Sequence, residues 1–206
     1  MTASKVLAHG ALALTVAVSF GLAGCASGES PEPAITTAAQ ATSQPAAVTS
    51  AAAYKPADAS ERAQNVPIPV LPEAAKAGTK EGLEAFATYW FQALNYGYET
   101  GNTDLVSAVS SPDCVFCQGL IDNIGLSWSN DKWISGGQIQ AADIAAQVSS
   151  GAPARVSVQV TQKELVIRNP DGSLYQEPTP ATNAGSQATV AHSGAGWTIS
   201  DLSLIR

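Results

Sequence analysis

The sequence predicts an α+β domain in which three N-terminal helices pack on a bent antiparallel sheet. Apolar residues recur at helical spacing between residues 79 and 128. After the Gly-Gly pair at 136–137 the period changes to the two-residue alternation of strands. Helices that precede the strands, rather than alternating with them, are typical of the α+β class.

The three helices are predicted from their caps and their apolar stripes. In "TKEGLEAFATYWFQALNYGY" apolar residues lie three and four apart, with Thr79 as the N-cap and Gly101 as the stop. Thr103 opens a short second helix. Ser111 is the expected cap of a third helix, with Pro112 at its first helical position.

The strands are predicted from alternation and turn residues. "QIQAADIAAQV" predicts a bent strand, and "RVSVQVTQKELVI" alternates until its parity shifts near Gln162 or Lys163. Such a shift predicts a β-bulge, because one extra residue turns the following side chains to the other face. "SLYQE" and "QATVAH" predict further strands, and the closing "WTISDLSLI" predicts a second bulge between Ile199 and Leu202.

The first 24 residues predict an export signal. Lys5 supplies a positive start, an apolar run covers residues 11–22, and small residues follow. The run is shorter than the roughly 20 residues of a membrane-spanning helix, so we expect a cleaved signal and not a transmembrane anchor.

The motif "LAGC" at residues 22–25 resembles the lipobox of bacterial lipoproteins. In that family the cysteine takes a diacylglyceryl group, with palmitate among the expected acyl chains, and becomes the first residue of the mature protein. The resemblance implies that Cys25 anchors the chain to the cell membrane on its extracytoplasmic face. The alternative is a secreted protein with a chance cysteine near the cleavage site.

The charge of the mature chain limits its partners. Cleavage removes Lys5 and no acidic residue, so the formal charge moves from -7 to -8. An acidic surface repels phosphate backbones, so we expect no nucleic-acid partner. His9 is removed as well, and His192 remains as the single histidine, so we expect neither a metal site nor a cofactor.

The composition divides the chain into three parts. Residues 26–66 are mainly Ala, Ser, Thr, Pro and Gln, and they carry too few large apolar side chains to offset the entropy of ordering. We therefore expect a signal peptide at 1–24, a lipidated, disordered tether at 25–66, and a single α+β domain at 67–206.

Cys114 and Cys117 form a C-x-x-C pair on the core-facing stripe of the third helix. Their β-carbons are expected about 5–6 Å apart, near the range of a disulfide, and an exported chain meets an oxidising environment. A structural disulfide is therefore favoured. A thiol–disulfide exchange centre is the alternative, because a helix N-terminus lowers the pKa of a thiol. A metal would need two more ligands than the nearby sequence offers.

The element order over residues 74–206, closed by "GWTISDLSLI", resembles the nuclear-transport-factor-two-like superfamily. That resemblance implies a cystatin-like cone, the fold of ketosteroid isomerases and polyketide cyclases. More narrowly, the lipobox, the tether, the C-x-x-C and the "GG" ahead of the sheet look like a family of actinobacterial lipoproteins of unknown function. Because the superfamily is functionally mixed, its fold implies no particular reaction.

A concave sheet under a long helix makes a natural pocket, and aromatic residues are candidates for its walls. The candidate walls are Tyr89, Trp90, Trp128, Trp133 and Tyr175. For Trp90 and Trp128 we favour core packing, because an aromatic stripe at helical spacing is more often buried.

Catalytic candidates follow from the resemblance alone. The isomerases of this fold use an acid in the pocket with Tyr or Asp donors, so the candidates by residue type are Asp122, Asp143 and Tyr89. No motif connects them, and a solvated carboxylate is the alternative for both aspartates. His192 lies beside the "SGAG" turn, so we expect it to be exposed.

Three classes of function stay open at this stage. The favoured one is a non-catalytic module that binds a small apolar ligand, a wall component or another exported protein. The second is a small lyase or isomerase with a carboxylate in the pocket, and the third is a thiol–disulfide protein that uses the C-x-x-C pair.

Overall fold

The computed structural model describes residues 52–205, and the α+β class is confirmed there. The predicted signal peptide, Cys25 and the tether residues 26–51 lie outside the described residues. The helices are α1 (Lys80–Thr100), α2 (Asp104–Ala108) and α3 (Val115–Trp128), with short 3-10 turns at Glu73–Lys76 and Ser129–Asp131. The strands are β1 (Trp133–Gly136), β2 (Ile139–Gln147), β3 (Ala154–Gln162), β4 (Leu165–Arg168), β5 (Thr182–Ser193) and β6 (Gly196–Ile205). Within residues 52–205, none of the helices combines the length and the apolar character needed to cross a membrane.

The strands form two antiparallel sheets where the sequence predicts one bent sheet. The larger sheet has the order β2-β3-β5-β6, and the smaller one pairs β1 with β4. The parity shift after Gln162 is therefore not a bulge. Three residues later, at Leu165, the chain enters the smaller sheet, so the change of face is a change of sheet. The predicted strand "SLYQE" contributes only an isolated bridge between Leu174 and Arg168.

Two predicted bends occur in the larger sheet. The register of β2 against β3 shifts between Ala142 and Ala145, where Asp143 has a positive φ of 48°. On β6, Ser200 is the extra residue, because the register against β5 shifts between its two neighbours. The predicted bulge between Ile199 and Leu202 is therefore confirmed.

The predicted boundaries of α1 are confirmed. The Gly82 backbone N–H donates to Thr79 Oγ1 at 3.1 Å, and the chain leaves the helix at Gly101 with a φ of 76°. Only glycine adopts this left-handed conformation without strain.

The third helix starts later than predicted. Cys114 is its N-cap, while the Cys114 backbone N–H donates to the Ser111 carbonyl oxygen in a turn that precedes the helix. Ser111 therefore closes the turn rather than capping α3.

The hydrophobic core lies between α1 and one face of the larger sheet, which we call the inner face. Alternate residues of β3 and β5 make this face, and Val156, Ala188 and Val190 are fully buried there. Leu83 and Trp90 of α1 are almost completely buried as well. Burial of each large apolar side chain stabilises the fold by about 1.5–3 kcal/mol.

Residues 52–66, which we call the strap, belong to the folded part of the chain although the sequence assigns them to the tether. The Trp133 indole N–H donates to the Asp58 carbonyl oxygen at 3.0 Å. The Arg62 guanidinium donates to the Asp131 carbonyl oxygen at 2.6 Å and lies 5.5 Å from the ring centroid of Trp128. These contacts offset an ordering cost that the strap's own composition does not cover.

Candidate functional site

An apolar cavity of about 290 Å³ lies between α1, α3 and the inner face of the larger sheet. Its volume is at the low end of the roughly 300–1,000 Å³ of small-molecule sites. Most of its wall is aliphatic or aromatic. The lining residues are Trp90, Phe91, Leu94, Tyr98, Phe116, Leu120, Ile139, Val160, Gln162, Thr182, Ala184, Ser186, Leu202 and Leu204.

The cavity exists because β5 presents small side chains to α1 at one end of the sheet. Gln162 pairs with Thr182 at the sheet's end, and Val160 pairs with Ala184 one step further in on the same face. Ser186 follows Ala184 two residues on and therefore faces the same way. The side chains of Ala184 and Ser186 are too short to fill the space between β5 and α1.

The other end of the inner face is closed by Trp90. This side chain is almost fully buried, and its indole N–H donates to Ser110 Oγ at 2.9 Å. The Ser110 hydroxyl in turn donates to the Val106 carbonyl oxygen at 2.7 Å. The indole N–H and the Ser110 hydroxyl thus both have hydrogen-bond partners. These bonds hold the Trp90 ring in place as the base of the cavity. Phe91 meets its ring edge-on, with the centroids 5.1 Å apart.

Exposed apolar side chains surround the mouth of the cavity. Phe116 of α3 retains 39% of its accessible surface and Leu204 of β6 retains 53%. Thr182 is exposed beside them and contributes a hydroxyl. The cavity is therefore open to solvent at the end where β5 begins and β6 finishes.

Cys114 and Cys117 lie at disulfide distance, with their Cα atoms 5.2 Å apart. Both side chains have 0% exposure, whereas Val115 between them is 84% exposed. Thiol exchange requires an accessible sulfur, so this burial favours the structural role over the redox role. The bridge encloses Phe116, and it therefore holds one side of the cavity mouth.

The polar groups of the cavity are uncharged. The Tyr98 phenol hydrogen-bonds the Gln162 side chain, and burial raises the pKa of Tyr98, so the phenol stays protonated at neutral pH. The Gln162 amide also donates to the Gly137 carbonyl oxygen at 3.3 Å. The hydroxyls of Ser186 and Thr182 complete the set.

Five of the residues proposed for the pocket, three aromatic residues and two aspartates, lie outside this cavity. Tyr89 is buried in the core, where burial raises its pKa, and Trp133 is buried beneath the strap. Tyr175 is exposed outside the cavity, beside β4. Asp122 and Asp143 are exposed, in agreement with the alternative that each is a solvated carboxylate.

The remaining aromatic and histidine predictions have a simpler outcome. Trp90 is in the core as expected, although it also forms the base of the cavity. Trp128 is half-buried and donates from its indole N–H to the Tyr98 carbonyl oxygen at 3.2 Å. His192 is exposed as expected, with its ring centroid 4.4 Å from that of Trp197.

A second, more open groove lies outside the core between α1 and residues 66–69. At its end Tyr54 of the strap hydrogen-bonds the Glu99 carboxylate. Burial raises the pKa of Glu99, and burial together with this hydrogen bond raises the pKa of Tyr54 to about 12. The pair fastens the start of the strap to the end of α1. Over residues 52–205 no group of three potential metal ligands occurs.

The described chain is thus an α+β domain with an uncharged, mostly apolar cavity between its long helix and its larger sheet. It belongs to a family of unknown function, DUF6318, whose model matches residues 52–203. That match begins within the strap, in agreement with the strap being part of the domain. No curated protein matches the chain.

One similar solved structure is the intermembrane space region of the chloroplast protein ARC6. It is 12% identical, with a TM-score of 0.44, and the alignment covers 62% of this chain and 96% of that one. A likeness of this strength supports no statement about function.

Proposed function

We propose that this protein is a non-catalytic binding module that holds a small apolar ligand in the cavity between α1 and the larger sheet. The observation that carries the proposal is the cavity itself, with about 290 Å³ of space and a wall of apolar and aromatic side chains. A ligand that leaves water for such a wall gains about 25 cal/mol for each Å² of apolar surface buried. The aromatic rings of Trp90 and Phe91 add rigid contact area.

The chemistry of the lining residues favours binding over catalysis. Isomerase or lyase chemistry of the kind expected for this fold needs a base within hydrogen-bond reach of the substrate. None of the described residues that line the cavity carries a carboxylate, an imidazole or a thiol. The carboxylates suggested by residue type, Asp122 and Asp143, are exposed elsewhere.

The setting we propose is the extracytoplasmic face of the cell membrane. The lipobox resemblance supports a diacylglyceryl anchor on Cys25, and residues 26–51 would then separate the domain from the bilayer. We also propose the narrower resemblances, the cone of the nuclear-transport-factor-two-like superfamily and the actinobacterial lipoproteins. A Cys25→Ala variant should stay unprocessed or leave the membrane fraction, and wild-type processing together with wild-type fractionation would contradict the anchor.

The cavity is tested with the neutral fluorescent probe N-phenylnaphthylamine. The wild-type protein should bind it saturably with one site per chain, and Ala184→Leu should weaken binding at least about tenfold by filling the cavity. Ala191→Leu is the matched control, because it makes the same change on an exposed position of β5. Absent binding to the wild type, or equal binding by Ala184→Leu, would refute the proposed function.

A further inference from the structure

The lining of the cavity carries no charged side chain. A carboxylate or ammonium group that enters it loses water without gaining a counter-ion, and burial of an unpaired charge is among the most unfavourable changes in a protein. Two charged residues, Lys163 and Glu164, follow Gln162 near the mouth. Both are exposed, neither lines the cavity, and their charges are opposite. These two neighbouring side chains therefore carry no net charge between them.

The cavity has a polar end and an apolar body. Gln162 and Thr182 are register partners at the end of the sheet, and the exposed Thr182 hydroxyl lies at the mouth. The Tyr98 phenol adjoins Gln162 and stays neutral. Hydroxyl and amide groups both donate and accept hydrogen bonds, so they suit an alcohol, an ester or an amide. Further in, Ser186 is the single polar side chain among apolar neighbours.

We propose that the cavity selects uncharged amphiphiles: molecules with an alkyl or ring body that enters towards Trp90 and an alcohol, ester or amide end that stays at Thr182 and Gln162. Carboxylates and ammonium ions with the same body should bind more weakly, because their charged end loses part of its hydration beside the half-buried Gln162 and the buried Tyr98 and gains no counter-ion there. This selectivity rests on the proposed binding function and specifies its ligand class.

The test displaces bound N-phenylnaphthylamine with three ligands of equal chain length: decanol, decanoate and decyltrimethylammonium. Decanol should displace the probe at a concentration at least ten times lower than either charged ligand. Decanoate or the ammonium ion acting as well as decanol, or no displacement by any of the three, would overturn the selectivity. In each of those cases the binding function would still hold if the wild-type protein binds the probe and Ala184→Leu does not.

A second variant tests the polar end. Thr182→Val keeps the shape of the side chain and removes its hydroxyl, so it should reduce the affinity for decanol several-fold more than the affinity for the probe, which has no alcohol group. An unchanged decanol affinity would refute the role of Thr182 as the polar contact at the mouth. The control for the fold is again probe binding, which reports an intact cavity.

Discussion

The two sheets of this domain are covered in different ways. The smaller sheet carries Trp133, whose indole is 4% exposed because the strap lies over it and its Asp58 carbonyl accepts the indole N–H. The inner face of the larger sheet is covered by α1 only in part, and beside Ala184 it remains open. The fifteen-residue strap thus covers the smaller sheet at Trp133. Part of the inner face of the larger sheet stays accessible to solvent.

This difference supports the proposed binding function, because the open cavity lowers the stability that a filled one would give. Larger side chains at Ala184 or Ser186 would bury more apolar area, and each added buried CH₂ is worth about 0.8 kcal/mol. The strap stabilises the fold where it packs on the smaller sheet. The open cavity contributes no such stabilisation. Changes under the strap should accordingly alter stability without altering ligand binding, and changes at the cavity mouth should alter binding.

The largest expected effect is at Trp133. Trp133→Ala should reduce the free energy of unfolding by about 3–5 kcal/mol, because it removes a buried ring and the contact that holds the strap. Trp133→Phe keeps most of the ring and loses the hydrogen bond to Asp58, so its cost should be about 1 kcal/mol. Urea denaturation measures both. A loss below about 1 kcal/mol for the alanine variant would show that the strap contributes little.

The strap also shows where the sequence stops being informative. Its Ala, Ser and Pro content is typical of a linker, and its contacts are made with residues 69 and 75 positions further along the chain. Local composition carries no signal for such pairs. In contrast, the start of α1 at Thr79 and its end at Gly101 depend on local hydrogen bonds and on one backbone conformation, and both were predictable.

A pocket between the long helix and the sheet was predicted, but most of its lining residues were missed for a related reason. Aromatic residues drew attention to Tyr89, Trp133 and Tyr175, but a cavity is made by the absence of bulk, and large aromatic side chains more often fill space than line it. The available signal was the run of small residues at alternate positions of β5: Ala184, Ser186 and Ala188. That signal becomes specific only when the register against β3 is known.

The next effect in size concerns the disulfide at the cavity mouth. Replacing Cys114 and Cys117 together with alanine should reduce the free energy of unfolding by about 2 kcal/mol, as expected for so short a closed loop. The double variant should also bind the probe more weakly, because the bridge holds Phe116 at the mouth of the cavity. Phe116→Ala is the comparison that changes the mouth and keeps the bridge. If the double variant loses stability but binds the probe like wild type, the bridge supports the fold alone.

Arg62 should have a smaller effect, confined to stability. Arg62→Ala removes the bond to the Asp131 carbonyl and the contact with the Trp128 ring, so the expected loss is about 1 kcal/mol. Lys55→Ala is the matched control within the strap, since its ion pair with Glu61 is exposed and should contribute little. Equal losses of stability in the two variants would contradict the role of Arg62. Weaker probe binding in Arg62→Ala would show that the strap also affects the cavity.

The smallest expected effect is a pH dependence at the end of the strap. Burial raises the pKa of Glu99 above its ordinary value of 4.5, and the hydrogen bond from Tyr54 opposes that rise in part. The folded state therefore binds this proton more tightly than the unfolded chain. The resulting stability is present below pH 4.5 and is lost as the pH rises through the raised pKa.

A Glu99→Gln variant should remove this dependence. Glutamine stays uncharged and still accepts the Tyr54 hydroxyl, so at pH 7 the variant should be the more stable protein, while near pH 4 the two should be equal. Because Glu99 is only half-buried, solvent screening limits the gain to about 0.5 kcal/mol. Glu164→Gln, at an exposed position, should show no such difference. Denaturation curves at the two pH values measure the effect, and a Glu99→Gln protein less stable than wild type at pH 7 would mean that the charged hydrogen bond to Tyr54 outweighs the cost of burial.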